Sequence, residues 1–185
     1  MIKNYLVLLV LLSSIYSSVS ATSVLSGSKI ITLTGKGGKL IEIGTIHFHN
    51  ENKKVTYELE FKEDEFNDEF LSMRPFKCIH ISGQMICHLS YPYKKQGYIS
   101  EHDFVDLEYD LLFLHKAVDE YGIDPWNGMY YDLTLSEDGF EGTLKEVDLN
   151  VLAAPPEDGV LRPITSDMLH DADPDQHLFS GLIIK

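Results

Sequence analysis

Only two cysteines and a single tryptophan occur in the 185 residues. Two thiols allow one structural bridge and no disulfide-dense scaffold. Basic residues are scarce: 15 Lys and Arg stand against 29 Asp and Glu, a formal net charge of −14. Such a surface repels nucleic acid and anionic lipid head groups. Long apolar runs are scarce too. The one block, at 6–12, falls well short of the ~20 residues that cross a bilayer, so no integral membrane segment is expected. No Asn-x-Ser/Thr sequon, Gly-x-Ser-x-Gly elbow or His-Glu-x-x-His motif is present. The GKGGK stretch fails as a phosphate loop, because Leu33 stands where its first glycine belongs and Leu40 where Ser or Thr must follow the lysine. The sequence therefore points to no cofactor.

What is present describes an exported, folded chain. Lys3, the apolar block at 6–12 and the small residues Val19-Ser20-Ala21 have the order of a cleaved signal peptide, expected over 1–21. Its removal makes the protein one unit more negative. Hydrophobic residues at 44% and aromatics at 11% argue against disorder in the remainder. That remainder divides into a β-barrel-like domain at 22–150 and an acidic, Pro-containing tail at 151–185. A short signal and one disulfide favour a bacterial periplasm or the surrounding medium over a eukaryotic secretory route.

The cysteines organise the reading. A two-residue turn at Ser82-Gly83 sets Ile81 opposite Gln84, His80 opposite Met85, Ile79 opposite Ile86 and Cys78 opposite Cys87. The last falls at a non-hydrogen-bonded site, where side chains lie closest. A cross-strand Cys78–Cys87 disulfide is expected.

Alternating segments at 28–34 and 39–49, rich in Ile and Thr, and at 53–61 read as strands. At 62–70, Phe66 and Phe70 are spaced i,i+4 among acids, which suits a short amphipathic helix. The acids there lack the spacing of a calcium loop, as do Asp171, Asp173 and Asp175 in the tail. Residues 104–118 fit either a helical stripe or a strand; a helical turn at 101–106 and a strand at 108–116 are preferred. Asn127-Gly128 and Glu137-Asp138-Gly139 bracket a hairpin that pairs 129–135 with 140–147. The sum is an all-β fold of about eight antiparallel strands in an up-and-down barrel or half-barrel, with one or two short helices and an extended C-terminal tail.

Five stretches, FLSMRPFKC, YPY, NGMYY, EVDLNVLAAPP and LRPI, resemble a set of exported bacterial proteins of unknown function, over about 66–164. The resemblance implies export and a bacterial source, and it implies no activity. The hairpin at 126–147 is also similar in shape to those of lipocalin-like barrels, a likeness that carries no function.

For chemistry, aromatics with polar tips make the best ligand-binding candidates: Tyr91 and Tyr93 on one strand face, and Trp126, Tyr130 and Tyr131 at the start of the last hairpin. They suit a small apolar or sugar-like ligand, and the competing reading is that they fill the barrel. His47 and His49 project from one strand face as two possible metal ligands that want a third. Glu108/Asp110 and Glu146/Asp148 alternate as paired carboxylates. The favoured function is non-catalytic binding of a small molecule or an envelope partner. The alternative is an envelope hydrolase or metal-dependent enzyme using His or paired carboxylates.

Overall fold

The computed structural model describes residues 24–51, 54–72 and 75–185; the expected signal at 1–21 lies outside them. One antiparallel sheet of eleven strands curls into a half-barrel. Three strands form a first meander: β1 (Gly27–Gly35), β2 (Leu40–Glu51) and β3 (Lys54–Phe61). A second meander runs through β4 (Asn67–Phe70), β5 (Pro75–Ile81), β6 (Gln84–His88), β7 (Phe113–Ala117), β8 (Gly128–Leu135) and β9 (Phe140–Val147). A six-residue helix, α1 (Val105–Asp110), lies between β6 and β7. Two strands follow β9: the short β10 (His170–Asp171), which pairs β9, and β11 (Phe179–Ile184).

The C-terminal strand joins the two meanders. The spatial order is β3-β2-β1-β11-β9-β8-β7-β6-β5-β4, so β11 is hydrogen-bonded to β1 on one side and β9 on the other. Residues 182–184, at the end of the expected extended tail, thus lie in the middle of the sheet. The fit is close: a Cβ at Gly139 would stand 1.7 Å from the Ile184 carbonyl oxygen.

The β5–β6 hairpin has the expected register, with Cys78 opposite Cys87 and the two joined as a disulfide. Ser82 and Gly83 both have positive φ, 50° and 80°, the backbone of a type I′ turn. Both sulfurs are buried under the arm that follows β9. For so short a loop, reducing the bridge or replacing both cysteines by alanine is expected to cost about 2–3 kcal/mol. Urea midpoints with and without reductant measure it, and equal midpoints would contradict it.

Two expectations need correction. Residues 62–70 form no helix: a single 3-10 turn at Glu63–Glu65 leads into β4, which pairs with β5. Phe66 is buried against Phe61, whereas Phe70 is 75% exposed, so no two-residue apolar stripe exists to hold a helix. An unsupported helix this short does not repay its nucleation, while β5 offers a ready ladder. Second, the helix lies at 105–110 rather than 101–106, and the strand after it begins at Phe113 rather than 108. Leu107 and Leu111 pack into the concave face and Tyr109 into the opposite core, so α1 is apolar on both sides. That double burial is why its pattern also alternates like a strand.

The concave face is filled by side chains, among them Phe48, Phe104, Phe113, Phe140 and Tyr131. Curling brings β3 over the β6–β7 side, where Phe61 packs against His88 with the rings tilted and their centroids 4.3 Å apart. Burial pushes the His88 imidazole below its ordinary pKa, and its Nε2–H donates to the Asp110 carbonyl at 2.9 Å. On the convex side of β5–β9 lies a second core, covered by 89–93 and by the Pro-containing arm from 149 to 169. Arg162 ties this arm to α1 through Asp103 and the buried Asp106. Among the described residues no helix is long and apolar enough to cross a membrane.

Candidate functional site

Two 3-10 turns, each capped by an aspartate, build a concavity with polar groups beside the sheet. The first is Pro125–Asn127, where Asp124 accepts from the Trp126 N–H at 3.0 Å and Pro125 occupies the first helical position. The second is Leu149–Leu152, where Asp148 Oδ1 accepts from the Asn150 N–H at 2.9 Å. Their caps fix where the chain leaves β9 and enters β8. Trp126 is consequently held outward, 69% exposed, at the wall of a pocket of about 450 Å³.

Val147, Val151 and Met168 give this pocket its apolar part. Glu146, Asp148, Asp167 and His170 give it polar groups, and neither Lys nor Arg lines it. β10 sets His170 directly opposite Glu146. Each carboxylate is oriented: Glu146 Oε1 lies 2.8 Å from His177 Nε2, and Asp167 Oδ1 accepts the Thr165 hydroxyl at 2.6 Å. That hydroxyl holds the Asp167 carboxyl below the usual carboxylate range. The arrangement presents hydrogen-bond acceptors beside an aromatic face. It suits donors such as hydroxyl and ammonium groups.

Behind Glu146 the polar chain continues inward. His177 is buried just before β11, and its ring meets that of His115 on β7 at 4.6 Å between centroids. Burial, and then the neighbouring His177, push the His115 imidazole below its ordinary pKa.

Of the five aromatic candidates, Trp126 alone lines this pocket. Tyr91 is buried against Tyr109 and donates to the Leu161 carbonyl; Tyr93 donates to that of Leu152. Both brace the arm. Tyr130 donates to the buried Glu108, and Tyr131, fully buried, donates to the Phe179 carbonyl of β11. These four tyrosines fix secondary elements to one another. His47 Nδ1 lies 2.7 Å from Ser28 Oγ, and His49 is exposed on the same strand face. Among the described residues no group of three His, Cys, Asp or Glu is placed to hold a metal.

The paired acids separate by environment. Glu146 and Asp148 share the Trp126 pocket, whereas Glu108 is buried in the fold and Asp110 binds the Tyr57 hydroxyl and Lys95. Asp167 and Met168 belong to the site without having been singled out in the sequence, and His170 was noted there only as part of a tail cluster weighed for cation binding. They come from an arm about twenty residues beyond β9, and no local pattern marks their return. A smaller slot of about 190 Å³ lies across the same two turns, walled by Leu89, Leu114, Leu149, Leu152 and Pro125.

The fold and site define an all-β domain, a curled half-barrel with an aromatic and acidic pocket at one side. No protein-family model matches the chain, and neither does any curated protein or solved structure.

Proposed function

We propose that this is an exported, non-catalytic binding domain that takes a small sugar-like ligand in the Trp126 pocket. The observation that carries the reading is the sole tryptophan, held outward by a capped turn over a concavity rather than used as core. An exposed indole is a stacking platform for the face of a sugar ring, and the volume lies within the range of ligand pockets. The lining favours a ring that carries donors, and three carboxylates without a Lys or Arg favour an amino sugar over a neutral or acidic one. The disulfide suits the oxidising compartment that export implies.

Titration with glucosamine, glucose and glucuronate, followed by Trp126 fluorescence, tests this directly. Glucosamine is expected to shift the emission and saturate, glucose to bind more weakly and glucuronate not at all. Trp126→Ala should abolish binding and leave the melting temperature unchanged, since the side chain is mostly exposed. An emission unchanged by all three sugars would end the reading. Because Glu146 and Asp148 share the pocket, hydrolysis is the second reading, and release of nitrophenol from nitrophenyl glycosides would favour it.

A further inference from the structure

The His115–His177–Glu146 chain joins three elements. His115 is on β7, Glu146 is on β9 and also lines the Trp126 pocket, and His177 opens the segment that becomes β11. A buried imidazole faces a second imidazole at ring-contact distance, and one carboxylate contacts the buried ring, His177. Around His115 stand His177, Glu146, and Glu120 and Asp124 of the β7–β8 loop. Around His177 stand His115, Glu146 and Asp173. One proton on this pair is matched by the Glu146 carboxylate. A second sets two like charges against each other out of water, which is costly.

We propose that His115 and His177 form a proton-operated latch between the C-terminal strand and the wall of the Trp126 pocket, closed with at most one proton on the pair and opened by a second. Opening frees the His177 ring from Glu146. The start of β11 then loses its side-chain anchor and the pocket loses the contact that orients its Glu146 wall. Acidification therefore loosens the strand and weakens ligand binding together. The ligand half rests on the sugar-binding reading above; the strand half does not. The depressed pKa of His115 agrees with a pair that resists double protonation.

The test uses the whole protein and two independent readouts between about pH 7 and about pH 5, the interval in which histidines change charge. Histidine ring resonances and amide hydrogen exchange follow the latch, and glucosamine titration follows the pocket. The rings of His115 and His177 are expected to titrate as a coupled pair. Protection of the Phe179 and Leu182 amides should fall with them, while Ile79 and Ile86 in the disulfide hairpin keep theirs. Glucosamine affinity should fall roughly tenfold per pH unit once the second proton binds, the slope of one linked proton. His115→Gln should bind as the parent does at neutral pH and lose both pH dependences.

Independent titration of the two rings, with β11 protection unchanged, would overturn the latch. So would a His115→Gln protein that keeps the parent's pH dependence. The exchange measurement on the unmodified protein decides the strand half even where that variant does not fold. If glucosamine binds at no pH while β11 still loosens with the His pair, the sugar-binding reading fails and the strand latch stands.

Discussion

Removing residues 179–185 is expected to leave a chain that does not fold. Among the described residues β11 supplies the only strand ladder between the first meander and the second, beside one isolated bridge from Val55 to Ile99: Ile31 to Gly35 pair with it on one side, Phe140 to Thr143 on the other. Without it the sheet becomes two separate pieces, each with a newly exposed edge. Three nearly or fully buried side chains, Phe179, Leu182 and Ile184, leave the concave core at the same time. At about 1.5–3 kcal/mol each, their burial is comparable to the whole stability of about 5–15 kcal/mol that a domain has. Two subtler variants grade the effect. Leu182→Ala should cost about 2–5 kcal/mol, and Leu182→Asp should unfold the protein by placing a charge where no partner reaches. Far-ultraviolet circular dichroism and urea melts report both. A truncated protein that melts cooperatively at the parent's temperature would show that the two meanders hold together without β11.

That strand was the least legible part of the chain, for a physical reason. Leu182, Ile183 and Ile184 are a short apolar run behind an acidic, Pro-containing arm, and locally they resemble any terminal tag. Their partners at 31–34 lie about 150 residues away, so only the folded sheet identifies them. The β5–β6 hairpin was legible to the residue because its turn and both strands are local, and because the cysteines allow a single register. The β8–β9 hairpin was legible for the same reason. α1 was ambiguous because neither of its faces meets solvent. The site divides likewise. A lone tryptophan after Asp-Pro and the Glu146/Asp148 alternation can be picked out along the chain. Tyr91, Tyr130 and Tyr131 have the same composition as pocket residues, and only their hydrogen-bond partners assign them to the framework.

Glu108→Ala is expected to destabilise the protein by about 2–6 kcal/mol, since it strips two buried donors of their acceptor and each such loss costs about 1–3 kcal/mol. The need for this carboxylate follows from the sheet. β7 and β8 pair only at Phe113–Met129 and Leu114–Gly128, so β8 runs on with a bare edge from Tyr130. α1 covers that edge, and Glu108 stands in for the missing strand, accepting the Leu133 N–H at 2.8 Å and the Tyr130 hydroxyl. Glu108→Gln keeps an acceptor and should cost less. The two proteins should also differ in pH dependence. Burial raises the Glu108 carboxyl above its ordinary value; the Tyr130 and Leu133 hydrogen bonds oppose the shift, and Asp132 and Asp103 add to it. With the folded value raised, the unfolded chain releases this proton more readily. The stability from the protonated form is then fully present below about pH 4.5, the unfolded value, and lost as pH rises through the folded one. A glutamine has no such term, so the stability gap between parent and Glu108→Gln should widen as pH falls from about 7 toward about 5. His88 and His115, both depressed, lose their stabilisation as pH falls below about 6.5, but they do so in both proteins and cancel in the difference. Urea midpoints of the pair at the two pH values give the answer. A gap that instead widens toward neutral pH would mean that Tyr130 and Leu133 hold Glu108 as the carboxylate. Burial would then have lost to two hydrogen bonds.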